Sequence, residues 1–213
     1  MSLGRRTFLQ AGALFGALLA SGMRSVNLQA ASNDEEVLKG GNGLYTQPWF
    51  EDGFLELGDE IKTAEADGKL LAIIYEQEGC PYCKELHKVN LRDPIIKEFM
   101  QKHFRVIQLD IRGDREVTDF SGKTYSEKEF CRVYQVNFTP TVSFFPPEAS
   151  AVENKTGRET EAFRLTGYWK PFHFETVLRF VHSGSYKKDT LQNYLRDRLH
   201  ELEKKGKQPK VWN

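Results

Sequence analysis

Two cysteines separated by two residues, Cys80 and Cys83 in Gly79-Cys80-Pro81-Tyr82-Cys83-Lys84, carry the clearest chemistry in the chain. On a helix that spacing sets two sulfurs one turn apart, which suits thiol-disulfide exchange: one thiolate attacks a disulfide sulfur and the second displaces what the first has captured. The same pair is also half of a tetrahedral zinc site. Zinc would need two more ligands, for which Cys131, His87, His103, His173, His182 and His200 are candidates, but no second close-spaced pair exists among them. A redox dithiol is therefore the primary reading. Cys131, next to Phe130 and near Val133, reads as a buried small hydrophobe, with a resolving or sensor role as the alternative.

The elements that must position the dithiol are visible on either side of it. Lys69-Leu70-Leu71-Ala72-Ile73-Ile74-Tyr75 is a continuous apolar run of strand length, and Cys83 to Met100 has helical character, so the motif sits at a strand-to-helix turn. A cysteine at the first turn of a helix faces unpaired N–H groups and the positive end of the helix dipole, which favour thiolate over thiol. Cys80 is the expected nucleophile. Pro81 is expected as the first helical residue, where a missing N–H costs nothing, leaving Cys83 one turn deeper as the resolving thiol.

The rest of the chain reads as alternating elements. Phe54, Leu57, Ile61 and Ala64 recur at helical spacing between Phe54 and Asp67, and Gly68 ends that helix. Asp93 caps a helix that Pro94 opens, and Phe104 to Ile111 is a second strand. Arg112 to Lys123 reads as an inserted polar loop, after which Ser126 and Glu129 have the spacing of a capping box for a short helix through Tyr134. Phe138 to Phe145 is a strand with a proline at its start; Pro146 to Thr160 is another polar loop, and Glu161 to Tyr168 is the returning strand. Lys170-Pro171 introduces a helix through His182, and Leu191, Leu195, Leu199 and Leu202 stripe a final amphipathic helix that ends in a basic tail. The expected packing of that stripe is on its own domain.

The 213 residues, 39% hydrophobic, are enough for one proper core, so one domain with appendages is expected. Thirty basic against thirty acidic residues leave no global field that argues for nucleic acid or an anionic membrane surface. Arg5-Arg6-Thr7-Phe8-Leu9 precedes the apolar run Ala11 to Ala20, too short for a comfortable membrane span, and small residues follow at Ala20-Ser21-Gly22 and at Ala30-Ala31. Residues 1–31 therefore read as an export signal that resembles the twin-arginine type, which implies a periplasmic location. The remaining boundaries are expected at 32–53 for a polar, glycine-bearing linker and N-terminal extension, 54–185 for the main domain, and 186–213 for the C-terminal helix and tail.

The element order, with Cys80-Pro81-Tyr82-Cys83 after a strand and Thr139-Pro140 opening a later one, resembles the thioredoxin superfamily from about Phe54 to His182. Glu78 to His87, Gly113-Asp114-Arg115-Glu116-Val117 and Phe138-Thr139-Pro140-Thr141 look most like the SoxW-type exported thioredoxins of bacterial sulfur oxidation. The resemblance implies an α/β thioredoxin fold, a central mixed sheet flanked by helices, with an N-terminal helix and a C-terminal helical extension. It implies that Pro140 is cis and lies beside the dithiol, and that Thr139, Pro140, Pro81 and Tyr82 contact the substrate. It further implies protein disulfides as substrates, sulfur-oxidation proteins among them, a CcdA-type membrane thiol transporter as electron donor, no cofactor, and a monomer. Glutaredoxin-like or Dsb-like exchange, and a redox-inert binding or chaperone module, are the alternatives.

Three positions bear on these expectations. Pro81-Tyr82 is the pair familiar from glutaredoxins, at about −200 to −230 mV, rather than from thioredoxin at about −270 mV, so a balanced or moderately reducing couple is expected. Many thioredoxins carry a buried aspartate six positions before the first cysteine, a slot held here by Ile74; Glu76 and Glu78 are nearby and are expected to face solvent. Gly79 stands where thioredoxins usually have tryptophan, which would open the surface beside the nucleophile.

Overall fold

A computed structural model describes residues 37–208. The export signal read at residues 1–31 and the end of the basic tail lie outside the described residues. Among the described residues no helix is long and apolar enough to cross a membrane.

Strand β2 (Leu70–Glu76) runs through the middle of the molecule, buried on both faces as its unbroken apolar sequence requires. It pairs in parallel with β3 (Phe104–Asp110) and antiparallel with β6 (Thr141–Phe144), which pairs antiparallel with β7 (Phe163–Thr166). The resulting order β3-β2-β6-β7 is the mixed sheet of a thioredoxin fold. Successive residues of β2 feed opposite layers. Leu71, Ile73 and Tyr75 pack with Leu57, Ile61 and Ala64 of α1 (Leu57–Ala66) and with Phe130 and Tyr134 around α4 (Glu127–Val133). Ala72 and Ile74 face the other way, toward Leu86, Leu91, Ile96 and Met100 and toward Phe174, Val177 and Leu178 of α5 (Pro171–His182). Each large aliphatic side chain so buried contributes about 1.5–3 kcal/mol.

Local signals set the element ends. α2 (Pro81–Glu85) starts with proline, passes into one π-helical turn at Leu86–Asn90, and is separated from α3 (Pro94–His103). There Asp93 accepts hydrogen bonds from the N–H groups of Ile95 (2.9 Å) and Ile96 (3.3 Å). Glu129 accepts from both the N–H and the hydroxyl of Ser126 at the start of α4. The final helix α6 (Leu191–Lys204) lies along α5, with Tyr194 against Phe180 and Arg198 bonded to Glu175 at 3.3 Å. Its leucine stripe is half-buried on its own domain.

Three expectations need correction. Phe54 is 90% exposed rather than on the buried face of α1, because Leu55–Glu56 form a short strand, β1, and the helix starts only at Leu57. The span 112–123 is not a plain loop: β4 (Glu116–Thr118) pairs with β1 and with β5 (Thr124–Ser126) in a second, three-stranded sheet. That excursion is pinned by buried Glu127, which accepts from Asp110 N (2.9 Å) and from the Arg115 guanidinium (2.6 Å). A side chain at Gly113 would collide with its carboxylate. The polar stretch read as a linker folds back on itself over residues 37–46, with Lys39 bridged to Tyr45 and with Val37 and Leu44 buried.

Titratable groups give this fold a defined pH window. Burial pushes His103, His173 and His182 below their ordinary value of 6.5, with each other's charge and that of Arg179 and Lys102 adding to the effect at His103 and His182. The unfolded chain therefore takes up these protons first as pH falls, and stability is lost from about pH 6.5 downward. At the alkaline end burial raises Tyr75, Tyr134 and Cys131, so stability declines again above about pH 9–10, where the unfolded chain ionises first. Thermal midpoints measured from pH 5 to 11 should trace that dome, and His103→Gln with His182→Gln should flatten its acid side. A midpoint that stays level between pH 7 and 5 contradicts this assignment.

Candidate functional site

Where β2 ends and α2 begins, the chain places Cys80 in extended conformation as the residue before the helix, and its Sγ accepts a hydrogen bond from Cys83 N–H at 3.1 Å. Pro81 takes the first helical position, as the sequence requires. Cys80 and Cys83 form a disulfide with Cα atoms 5.2 Å apart, and both are buried, Cys83 the more deeply. Because α2 has only five residues before the π-helical turn, the favourable field at Cys80 comes from the first-turn N–H groups rather than from a long helix dipole.

The loop before β6 meets the dithiol from the neighbouring strand. The Thr139–Pro140 peptide bond is cis, as expected. The Thr139 hydroxyl donates to Cys80 Sγ at 3.4 Å, and the Thr139 carbonyl oxygen lies 3.7 Å from the same sulfur. Fifty-nine residues apart in sequence, Cys80 and Thr139 are thus direct neighbours. Pro81 and Tyr82 are exposed, and the Tyr82 ring stacks on Tyr168 with centroids 6.4 Å apart. Gly79 has φ of +75°, so a tryptophan there would meet open space but carry about 1–2 kcal/mol of backbone strain, and Gly79→Ala is the control that separates the two.

Glu76 is the expectation the structure overturns most clearly. It is 1% exposed, not solvent-facing, and its Oε2 lies 2.9 Å from Nε2 of His87, which is fully buried in the π-helical turn. Gln47 Nε2 donates to His87 Nδ1 at 3.2 Å, which leaves the ring proton on Nε2 to be donated to the carboxylate. Gln108 Nε2 donates both to Glu76 and to the carbonyl of Tyr45. Glu76 is on the same strand face as Ile74, two residues nearer the dithiol. Glu78, by contrast, is exposed, and it packs against Gly43, where an added side chain would come within 3.0 Å of its carboxyl group.

Sequence reasoning found Cys80, Cys83, Thr139 and Pro140 but missed His87, Gln108 and Gln47 as a group. One signal was there: His87 follows Cys83 by four residues and so shares its helix face. Cys131 behaves as read. It is buried beside α4, and burial pushes its thiol up to about 12, with the charges of Glu127 and Asp110 adding to the effect. With Cys80–Cys83 oxidised, the folded protein should therefore resist alkylation by iodoacetamide at pH 8 and gain one label only after unfolding. Rapid native labelling at Cys131 is the opposite result.

A dithiol at a strand-to-helix turn, closed over by a cis-proline loop on a mixed four-stranded sheet, defines the thioredoxin class of folds. A family described as thioredoxin-like domain matches residues 57–182, and the chain belongs to that family. No curated protein sequence matches it. Among solved structures it is similar to a thioredoxin-fold protein from Helicobacter pylori at 24% identity, covering 65% of this chain and 84% of that one with a TM-score of 0.45. It is also similar to a thioredoxin from Thermus thermophilus at 26% identity, 60% and 85% coverage and TM-score 0.45. The C-terminal domain of Neisseria meningitidis DsbD is similar at 13% identity, 62% and 99% coverage and TM-score 0.40.

Proposed function

We propose that the protein is a thiol-disulfide oxidoreductase acting on disulfides of client proteins. The observation that carries this reading is the juxtaposition of Cys80 Sγ with Cys83 N–H and with the hydroxyl of Thr139 in the cis-proline loop. In the reducing direction, Cys80 thiolate attacks a client sulfur, a Cys80–client disulfide forms, and the client's other sulfur leaves as a thiolate. Cys83, deprotonated, then attacks Cys80 Sγ and expels the second client sulfur, so that the client gains two electrons and Cys80–Cys83 is oxidised. Cys80 is the nucleophile in this scheme because it borders the Thr139 loop, and Cys83 resolves because it is deeper. Thr139, Pro140, Pro81 and Tyr82 are the substrate contacts.

The setting belongs to the same proposal. The twin-arginine-like start of the chain favours periplasmic action, and the likeness to SoxW-type thioredoxins favours clients in thiosulfate oxidation with a CcdA-type thiol transporter as electron source. In an oxidising compartment a reductant of this kind needs such a supply. The test is a trap: Cys83→Ser protein should accumulate client proteins as mixed disulfides through Cys80 when isolated from periplasm under non-reducing conditions. Recovery of no mixed disulfide, with Cys80 free and reactive, argues against the assigned roles.

A further inference from the structure

Beside the dithiol lies a groove of about 450 Å³ lined by Tyr82, Phe138, Thr139, Thr166, Gly167 and Tyr168, a volume within the range of small-ligand clefts. Two large aromatic side chains stand open at it: Tyr82 is 61% and Phe138 66% exposed. Neither has to be there for the core. Phe138 is two residues before the cis proline and sits outside both hydrophobic clusters, while Tyr82 points away from the sheet onto Tyr168. Thr139, which shares the lining, touches Cys80 Sγ, so the groove is continuous with the sulfur that an incoming disulfide must reach. No lining residue carries a charge, and the charge that acts on the nearby Tyr168 hydroxyl is negative, from Glu85.

Resting on the thiol-disulfide reading, we infer that this groove selects protein disulfides whose cysteine is flanked by a bulky apolar or aromatic side chain, held between Phe138 and Tyr82, and discriminates against glutathione disulfide. Covering the two exposed rings removes apolar surface from water only if the incoming group is itself apolar. Glutathione brings carboxylates to a groove with no cation and a carboxylate nearby, so its desolvation is not repaid. The groove is thereby a specificity element, separate from the sulfur chemistry.

The experiment uses the reduced full chain and four oxidised probes: two synthetic peptide disulfides identical except for Phe or Ser next to cysteine, glutathione disulfide, and 2-hydroxyethyl disulfide. Second-order rate constants for oxidation of the protein are read by quenched-flow trapping of free thiols. The Phe peptide should react about tenfold faster than the Ser peptide, the ratio that burying part of one aromatic side chain supplies. Glutathione disulfide should be slower than the Ser peptide. In Phe138→Ala the Phe-to-Ser ratio should fall to within about twofold, the exposed position making a folding defect an unlikely confounder in physical terms and circular dichroism checking it directly. Reaction with every probe, 2-hydroxyethyl disulfide included, but with a flat Phe-to-Ser ratio, or with glutathione disulfide as fast as the Phe peptide, overturns the groove assignment and leaves the oxidoreductase reading standing. Reaction with none of the four overturns both.

Discussion

Replacing Cys80 by serine is expected to lower the rate of insulin disulfide reduction by at least about a thousandfold, because the hydroxyl left behind is not ionised near neutral pH and cannot stand in for a thiolate. Cys83→Ser should behave differently. It keeps the attacking sulfur and its contact with Thr139, so it should react once, stoichiometrically, and stall as a mixed disulfide. The contrast between no reaction and a single arrested turnover is the signature of ordered roles. Equal inactivity of the two variants, without trapped adducts, would mean that neither sulfur can be assigned first. Reduced protein should also show one thiol that titrates below free cysteine, and it should vanish in Cys80→Ser rather than in Cys83→Ser.

The second large effect concerns stability. His87→Ala is expected to cost about 3–5 kcal/mol, because it strands the Glu76 carboxylate in a site sealed from water with only Gln108 to receive its charge. In urea the midpoint should fall by more than about 1 M for a chain of this size. Glu76→Gln should cost less, since an amide there retains a hydrogen bond without a charge to bury. Changing both residues to leucine should recover much of the loss, as apolar replacements of buried charged pairs commonly do. If His87→Ala leaves the midpoint where it was, water reaches the carboxylate and the pair is not sealed.

The architecture was legible where local rules coincide with tertiary demands. The β2 run is apolar throughout because both its faces are covered, and Pro81, Asp93 and the Ser126–Glu129 pair mark helix starts by backbone chemistry that does not depend on the rest of the fold. The dithiol and the cis-proline loop were legible as residues, though only the sheet brings them within contact. What escaped was non-local or very short. β4 and β5 are three residues each, too brief for a period of two to register, and Phe54 fell into helical spacing with Leu57 by coincidence. Glu76 looked like a charged residue at a strand end. Its burial depends on a histidine eleven positions later, a glutamine thirty-two positions later and a turn of chain from well upstream.

That upstream turn redraws the limits of the autonomous unit. Tyr45 and Gln47 complete the shell around Glu76 and His87, and Glu51 extends the exposed edge of β3, its N–H bonded to Val106 and its carboxylate 3.2 Å from Arg105. All three precede residue 57, where the recognisable family segment starts. A fragment trimmed to the homologous region would therefore open a charged interior and leave a bare sheet margin, so anyone producing this protein in shortened form should begin no later than Val37.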